Sequence, residues 1–543
     1  MRAWRALTIG VPLAFLGLFF LFPFAAIVER GLRGGGDAPI DVLTDSTTRE
    51  VVWFTAWQAL ASTLLTIAIA LPAAYVLGRY RFRGRNVVGV VVLVPFVLPT
   101  VVVALAFLAV LPEPLERGWA PILVAHAFFN VAVVIRVVGT FWTNLDPRMN
   151  EAAATLGASP LRRLREVTGP LLAPALAAAA AIVFLFSFTS FGIVLILGGP
   201  RYATIEAEIY NQTVRLFDLR AAAVLSLVQL ACVIAAVWAA TRLERKLLET
   251  APLRSERDTL RQPRTAGEKL VVGLSLGFLA VFLGLPLAVL VERSLAVGGG
   301  YGLDAYEALA RPTSVLLTSP WEAIVNSIVY AMAATVIAVV VGGLAAFAVA
   351  GRNGHVERSG PGSDPRTWPK RAWFLDGLVL LPLGASAVML GLGFLIAFDR
   401  SPVDFRAAPW IVPVAQALVA IPFVVRIVVP TLRSIDQRQR EAAALLGATP
   451  ARVVREIDLP IVSRGLAVAA GFAFAISLGE FGATVFLARP DRPTLPVAIF
   501  RFLGRPGELN VAQAYALAVV LMAVTVVSVL VVERARVRRG GWF

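Results

Sequence analysis

Long apolar segments alternate with short polar ones along the whole chain. Each apolar segment carries few charged residues and is longer than the roughly 18 residues that mark a transmembrane helix. Six lie in the first part, at about 6–28, 51–78, 87–111, 119–141, 170–197 and 219–241. Six more follow at about 269–292, 322–350, 375–398, 408–431, 460–487 and 512–532. The pattern predicts an all-α polytopic membrane protein of about 12 transmembrane helices.

The first apolar segment follows Met-Arg-Ala-Trp-Arg, so it has the form of either a cleavable signal peptide or a retained helix. Its continuation at 22–32, FPFAAIVERGL, recurs at 285–295 as LPLAVLVERSL. A cleavable signal has no reason to be repeated deep inside the chain. We therefore expect a retained first helix.

Composition agrees with a membrane protein. Of the 543 residues 58% are apolar, and the mean hydropathy is +0.77, whereas soluble domains are about half apolar. The formal net charge of +15 would by itself suggest a nucleic-acid partner. The basic residues stand instead in the short segments between apolar ones, which is typical of membrane proteins. We expect a lipid bilayer as partner and no nucleic acid.

The basic residues also predict orientation, because loops rich in Arg and Lys face the cytoplasm. If 12 spans alternate in direction, the basic segments all fall on one side, and they include Arg2, Arg5, Arg79, Arg81, Arg83, Arg85, Arg162, Arg163, Arg165, Arg534, Arg536, Arg538 and Arg539. The basic insertion at 352–371 is predicted to be a cytoplasmic loop. We expect a bacterial inner membrane protein with both termini in the cytoplasm.

The chain contains an internal repeat. Residues 151–172, EAAATLGASPLRRLREVTGPLL, and 441–462, EAAALLGATPARVVREIDLPIV, share 12 of 22 positions without gaps. Each half has an even number of spans, so the two copies run in parallel. We predict a first half at 1–241, a polar cytoplasmic linker at 242–268 and a second half at 269–543.

The repeated segment has the features of a helix–turn–helix that protrudes from the membrane. Glu151, Ala152 and Ala153 begin a short helix of good helix formers. Gly157 permits the tight reversal that ends it, and Pro160 fits the first position of the next helix. The counterparts in the second copy are Glu441, Ala442, Ala443, Gly447 and Pro450. Two ordinary amphipathic surface loops are the alternative, but they would not explain the same pattern at the same place twice.

These residues resemble the signature of permease subunits of type I ATP-binding-cassette importers, E-A-A-x3-G-x9-I-x-L-P. The second copy fits throughout, and the first departs only at Val167 and Gly169. The resemblance implies the type I importer permease fold, with each loop a coupling helix on an ATPase. It also implies two ATP-binding-cassette ATPase subunits and an extracytoplasmic solute-binding protein as partners.

The sequence argues against an enzyme. It contains no Gly-x-x-x-x-Gly-Lys-Ser/Thr loop, so ATP and Mg are expected on the partner ATPase and no cofactor on this chain. Its single cysteine, Cys232, and its two distant histidines, His126 and His355, predict no metal site. A membrane enzyme would also need paired catalytic groups, which the spans lack.

The cargo is less constrained. The resemblance implies that the fifth span of each half lines the path, which points to Ser190, Phe191, Glu480 and Phe481. Glu480 is either a cation contact or a packing or gating residue, because a carboxylate in an apolar span tends to face a cavity or a partner. A chain with two fused halves resembles the permeases of ferric iron and thiamine importers, so we favour ferric iron or thiamine as the cargo. LGEFGAT with TLPVAIF is similar to sulfate and molybdate permeases, so an oxyanion stays open.

An ion-coupled secondary transporter is the competing class. It would need ionisable groups inside the membrane, and apart from Glu480, and Arg136 or Arg426 near segment ends, there are few. It would also give no reason for two Glu-Ala-Ala loops.

Overall fold

We describe the protein from a computed structural model. The structure describes residues 2–33, 39–247, 260–350, 377–379, 381–382, 384–399, 405 and 408–537. The predicted cytoplasmic loop at 352–371, with His355, and part of the central linker lie outside these residues.

The described part of the first half is a succession of helices. They are α1 (Arg2–Leu16), α2 (Phe22–Arg33), α3 (Pro39–Thr44), α4 (Ser46–Arg79), α5 (Arg85–Val91), α6 (Val94–Val97), α7 (Thr100–Val110), α8 (Trp119–Asn144), α9 (Pro147–Thr155), α10 (Pro160–Arg163), α11 (Gly169–Phe188), α12 (Gly192–Leu197), α13 (Ile205–Tyr210) and α14 (Leu219–Leu247). Single π-helical turns at Gly17–Leu21, Leu164–Thr168 and Asn211–Arg215 continue α1, α10 and α13.

The second half repeats this order with small additions. Its helices are α15 (Ala266–Leu295), α16 (Asp304–Glu307), α17 (Pro320–Ala350), α18 (Ala387–Ala397), α19 (Ile411–Arg433), α20 (Gln437–Leu445), α21 (Pro450–Val453), α22 (Leu459–Gly479), α23 (Thr484–Leu487), α24 (Leu495–Leu503) and α25 (Glu508–Val537). A two-stranded hairpin, β1 (Ala296–Val297) and β2 (Gly300–Tyr301), and a 3₁₀ turn at Ala308–Ala310 follow α15 and α16. A π-helical turn at Val454–Asp458 continues α21.

Ten of the described helical segments are long and apolar enough to cross a membrane, and they coincide with ten of the predicted spans. The remaining two predictions are the third spans of the halves; the first is broken, and the described part of the second contains one shorter apolar helix, Ala387–Ala397. The all-α polytopic fold with a repeated helical order is confirmed.

The third span of the first half is not one continuous helix. The segment Arg85–Val97 meets α7 at 98°, and the break falls at Leu98 and Pro99. Leu98 has an extended ψ of 140°, because the ring of a following proline disfavours the helical conformation. In the second half α18 begins after Ser386, whose Oγ accepts the N–H of Met389 at 3.1 Å. Both helices after the break, α7 and α18, are apolar and largely buried.

Compact packing does not follow the sequence halves. One compact unit, unit 2, comprises 37–209 and 228–296. In it α4, α8 and α11 pack against one another, and α15 packs on α7. A Cβ on Gly78 would lie 2.8 Å from the carbonyl oxygen of Gly139, so glycine allows α4 and α8 to approach closely.

Unit 1 comprises 1–36, 210–227 and 297–543. Helices α17, α19 and α22 form its core, α1 packs on α17 and α2 packs on α18. In each unit the first long helix therefore comes from the other half of the sequence. The halves at 1–241 and 269–543 stay a prediction about the repeat along the chain, and the packing units exchange their first spans.

The described end of the central linker is held in place within unit 2. Arg261 pairs with Tyr80 in a β-bridge, and its guanidinium lies 5.5 Å from the centre of the Tyr80 ring. Arg261 also forms an ion pair with Glu268 at 2.8 Å. Thr265 and Glu268 cap α15 reciprocally. The described end of the predicted polar linker is therefore anchored to the first residues after α4.

Candidate functional site

The first Glu-Ala-Ala loop begins with α9, which carries Glu151, Ala152 and Ala153. Asp146 caps this helix, since its Oδ1 accepts the N–H of Arg148 at 3.0 Å. The helix closes after about two turns. Its last carbonyls accept the N–H groups of Gly157 and Ala158, both at 3.0 Å.

Gly157 is the point of reversal. Its φ is +81°, in the left-handed region that glycine adopts without steric cost. Beyond it, Ser159 Oγ accepts the N–H of Arg162 at 3.3 Å, and Pro160 takes the first helical position of α10. An exposed ion pair between Arg162 and Glu166 at 2.9 Å spans the next turn. The predicted helix–turn–helix is present.

The second loop has the same construction. Helix α20 carries Glu441, Ala442 and Ala443, and Gly447 reverses the chain at a φ of +83°. Thr449 Oγ1 accepts the N–H of Arg452 at 3.4 Å, and α21 begins at Pro450. An ion pair between Arg452 and Glu456 at 2.9 Å repeats that of the first loop.

One contact ties each loop to the start of the fifth long helix. In the first loop Asn150 Nδ2 donates to Thr168 Oγ1 at 2.8 Å. In the second loop Arg440 Nε donates to Asp458 Oδ1, also at 2.8 Å. Arg440 and Asp458 each stand 290 positions after Asn150 and Thr168, and the same offset, the register of the repeat, relates its two copies. The two contacts are therefore equivalent in position and different in chemistry. Each contact joins the first helix of its loop to the turn that precedes the fifth long helix.

The energies of these ties differ. A neutral hydrogen bond contributes about 1 kcal/mol. The side chain of Asp458 is 9% exposed and that of Arg440 29%, so the second tie is a largely buried ion pair. Removing one partner of such a pair costs about 3 kcal/mol, because it strands the other charge.

Both loops present leucines to the surroundings. Four leucines of the two loops are at least three-quarters exposed, namely Leu156, Leu161, Leu445 and Leu446. Scattered single leucines on a surface are ordinary, whereas leucines grouped on a protruding loop suggest a binding surface. Glu151, Ala152, Glu441 and Ala442 are also exposed. The loops thus offer an accessible surface of apolar and charged side chains in both halves, with arginines such as Arg162 and Arg452 exposed beside the glutamates.

The residues predicted to line the path lie at breaks and not within helices. The fifth long helices end at Phe188 and Gly479, so the spans predicted to reach 197 and 487 were too long. Ser190 and Phe191 follow the first of these ends, and Glu480 and Phe481 follow the second. All four side chains are buried. The break is present in both halves at the same register.

Glu480 has a defined local task. Its two carboxylate oxygens accept the N–H groups of Ala483 at 2.7 Å and Thr484 at 3.1 Å, and Thr484 Oγ1 donates to its carbonyl at 2.8 Å. These N–H groups open α23 and have no partner within that helix. A Cβ on Gly482 would lie 2.8 Å from Ala387 Cβ, so this break is tightly packed against α18. Of the two interpretations of Glu480, the geometry favours the packing residue.

Several polar residues were not predicted from the sequence. The tie residues are among them, although each pair obeys the repeat register. Glu206 is another; it is 2% exposed and accepts a hydrogen bond from Gln229 Nε2 at 2.7 Å. A glutamate inside the apolar stretch IEAEIY was the available signal. His126 is buried, with Nδ1 3.0 Å from Ser62 Oγ, as a core histidine would be.

Comparison with known proteins shows which family has this architecture. The family described as "Binding-protein-dependent transport system inner membrane component" matches the chain twice, at residues 70–249 and 369–539. The thiamine transport system permease protein of Brucella abortus (strain 2308) is 28% identical over 554 residues, covering 98% of this chain and 95% of the relative. That of Escherichia coli (strain K12) is 28% identical and covers 88% of each chain.

A shorter relative matches one half. The putative 2-aminoethylphosphonate transport system permease protein of Salmonella paratyphi A (strain ATCC 9150 / SARB42) is 30% identical over 260 residues, which is 48% of this chain and 91% of the relative. About half the length of this chain therefore corresponds to almost a whole relative of that kind. Together with the double family match, this indicates two permease-like halves in one polypeptide.

Two parallel helical repeats with a protruding loop each define a multi-pass inner membrane transport permease. The two family matches together span more than half of the chain. The chain belongs to the family of binding-protein-dependent transport system inner membrane components, and its resemblance to type I importer permeases is confirmed.

Proposed function

We propose that this chain is the membrane permease of a thiamine importer driven by ATP hydrolysis on separate ATPase subunits. The assignment of thiamine as the substrate rests on the similarity to thiamine permeases along nearly the entire chain, both halves included. Ferric iron, favoured equally on architecture alone, has no comparable support among these relatives.

The two loops support the coupling role. Each is a short capped helix, a glycine reversal and a second helix, tied to the fifth long helix by one polar contact. A rigid lever of this kind can carry a movement of an ATPase into the membrane helices. Glu151, Ala152, Ala153, Gly157 and Pro160 would form one docking surface. Their counterparts from Glu441 to Pro450 would form the other.

The remaining partners follow from this assignment. ATP and Mg would bind to the ATPase subunits, and this chain would carry no cofactor. A solute-binding protein would deliver thiamine to the face opposite the Arg-rich loops, on which the segments at 198–216 and 488–506 fall. Both termini would be cytoplasmic, in agreement with the distribution of Arg. Ser190, Phe191, Glu480 and Phe481 would border the path where the fifth helices end.

The test is reconstitution of the permease with its ATPase and its binding protein in liposomes. We expect uptake of radiolabelled thiamine that requires Mg-ATP on the ATPase side and the loaded binding protein on the other. Ferric iron, molybdate and 2-aminoethylphosphonate serve as competing cargoes. Uptake of one of these and not of thiamine would overturn the substrate. Thiamine uptake that follows an ion gradient without an ATPase would overturn the coupling role.

A further inference from the structure

Four aromatic side chains meet in unit 1 beside the break that follows α22. The ring of Tyr210 lies 5.8 Å from that of Phe486 and 6.1 Å from that of Phe500, with both pairs close to edge-on. The ring of Phe481 lies 5.6 Å from that of Phe500. Tyr210 is 7% exposed and Phe481 2%. We call these four residues the aromatic cluster.

The cluster contains one position twice. Tyr210 and Phe500 are 290 residues apart, which is the register of the repeat, so they are the same position of the two sequence halves. Parallel copies of a repeat are related by a line along the membrane normal. Equivalent positions can touch only near that line. A solute that crosses between two such copies passes there as well.

The other two members differ between the halves. The counterpart of Phe481 is Phe191, whereas the counterpart of Phe486 is Ile196. A Cβ on Gly391 would lie 2.8 Å from Phe486 Cδ2, so helix α18 packs closely on this ring. The cluster is thus held from one side by a helix and from the other by the capped break at Glu480.

We infer that the aromatic cluster is the substrate contact of the path, and that it receives a planar, positively charged aromatic ring. The inference rests on the proposed function and names the side chains that would recognise the cargo. When Tyr210 and Phe500 separate, each loses a ring–ring contact. A cationic heterocycle that enters between them replaces this contact by stacking and by cation–π attraction. A hydrated metal ion or an oxyanion offers no such replacement.

The neighbouring carboxylate does not supply the recognition. Both oxygens of Glu480 accept backbone N–H groups of the next helix. Using them for a ligand would uncap α23. Among the side chains of the cluster, the faces of the aromatic rings are the groups that can attract a cation, against the opposing charge of Arg215 and Arg501, which interact electrostatically with Tyr210.

The experiment measures equilibrium binding of radiolabelled thiamine to the permease–ATPase complex in nanodiscs. It is done without nucleotide and with ATP held on the ATPase subunits by blocking hydrolysis. The informative variants are Tyr210→Leu and Phe500→Leu, which keep apolar volume and remove the ring. The matched control exchanges the two residues, as Tyr210→Phe with Phe500→Tyr, and keeps both rings. We expect at least a fivefold rise in the Kd for thiamine in each leucine variant, and less than a twofold change in the exchanged protein.

The outcomes separate this inference from the proposed function. Leucine variants that bind thiamine as tightly as the parent would overturn the inference that the cluster contacts the substrate. This holds even if the variants let solutes leak through the membrane or hydrolyse ATP faster. A parent complex that transports thiamine but binds none in either state would overturn it as well. Absence of thiamine transport by the parent would instead overturn the proposed function. Unfolding of a leucine variant is recognised by its Tm, and the other variant then decides.

Discussion

The Glu-Ala-Ala loops and the breaks after the fifth long helices make opposite use of the same duplication. The two loops agree in caps, reversal and surface ion pair, down to φ values of +81° and +83° at Gly157 and Gly447. The two breaks share their place in the repeat and differ in their polar residue, which is Ser190 in one half and Glu480 in the other.

This contrast fits a division of labour between the two ends of the protein. Under the proposed function, two similar ATPases would dock on the two loops, which gives the loops a reason to stay alike. A path for one asymmetric solute has no such reason, because each half presents a different side to the cargo. Divergence between the halves, as between Ser190 and Glu480, is therefore expected along the path and not on the coupling surface.

The largest effect is expected at the reversal of the loops. Gly157→Val or Gly447→Val should abolish transport and ATPase stimulation while membrane insertion persists. No heavy atom lies within 4 Å of a Cβ at either position, so the strain comes from the positive φ alone, at about 1–3 kcal/mol. The measurement is thiamine uptake and ATPase activity of the reconstituted complex.

Two controls sharpen this test. Gly273→Val changes a glycine that also has open space but an ordinary φ, and it should leave uptake intact. Gly157→Asn should retain much of the activity, because asparagine tolerates the left-handed region. Normal coupling in both valine variants would show that the loops are not the coupling elements.

A smaller effect is expected at the ties, where the two loops differ. Arg440→Ala strands the carboxylate of Asp458 and should lower stability by about 3 kcal/mol. Asn150→Ala removes a neutral hydrogen bond and should cost about 1 kcal/mol. Thermal unfolding of the purified permease measures both, and ATP hydrolysed per thiamine transported reports the coupling.

The first loop offers a rescue for loss of the ion-pair tie in the second loop. Arg440→Asn combined with Asp458→Thr places the pair of the first loop into the second. We expect this double variant to be more stable and better coupled than Arg440→Ala. If the two behave alike, the ion pair has a role that a positional tie does not explain.

Sequence predicted most of the fold because the bilayer demands long apolar helices. It could not predict the break at Leu98, since a proline is also tolerated within a transmembrane helix. The loops were predictable down to Gly157 and Gly447, because turn chemistry is local. The role of Glu480 was not predictable, because its partners are backbone N–H groups. Every residue except proline has such a group, so no sequence pattern marks these partners. The exchange of first helices between packing units depends on contacts that no local pattern encodes.

The break of the second half gives the third prediction. Glu480→Gln keeps one acceptor oxygen and replaces the other by an amide that cannot accept. One of the two backbone N–H groups loses its partner, at about 1 kcal/mol. We expect a small loss of thermal stability, and thiamine uptake within about threefold of the parent. Loss of uptake with unchanged stability would favour the alternative in which Glu480 contacts a cation.

The smallest effect is expected where the loops are most alike and most exposed. Arg162→Ala and Arg452→Ala remove the ion pairs with Glu166 and Glu456, whose side chains are all more than half exposed. Such pairs contribute about 0.3–0.5 kcal/mol, so the Tm of the isolated permease should barely move in either variant. Affinity for the ATPase, measured by co-purification at rising salt, is the sensitive readout. An equal loss of ATPase affinity in both variants would support equivalent docking at the two loops. A loss in one variant alone would show that the two loops have the same structure but different functions.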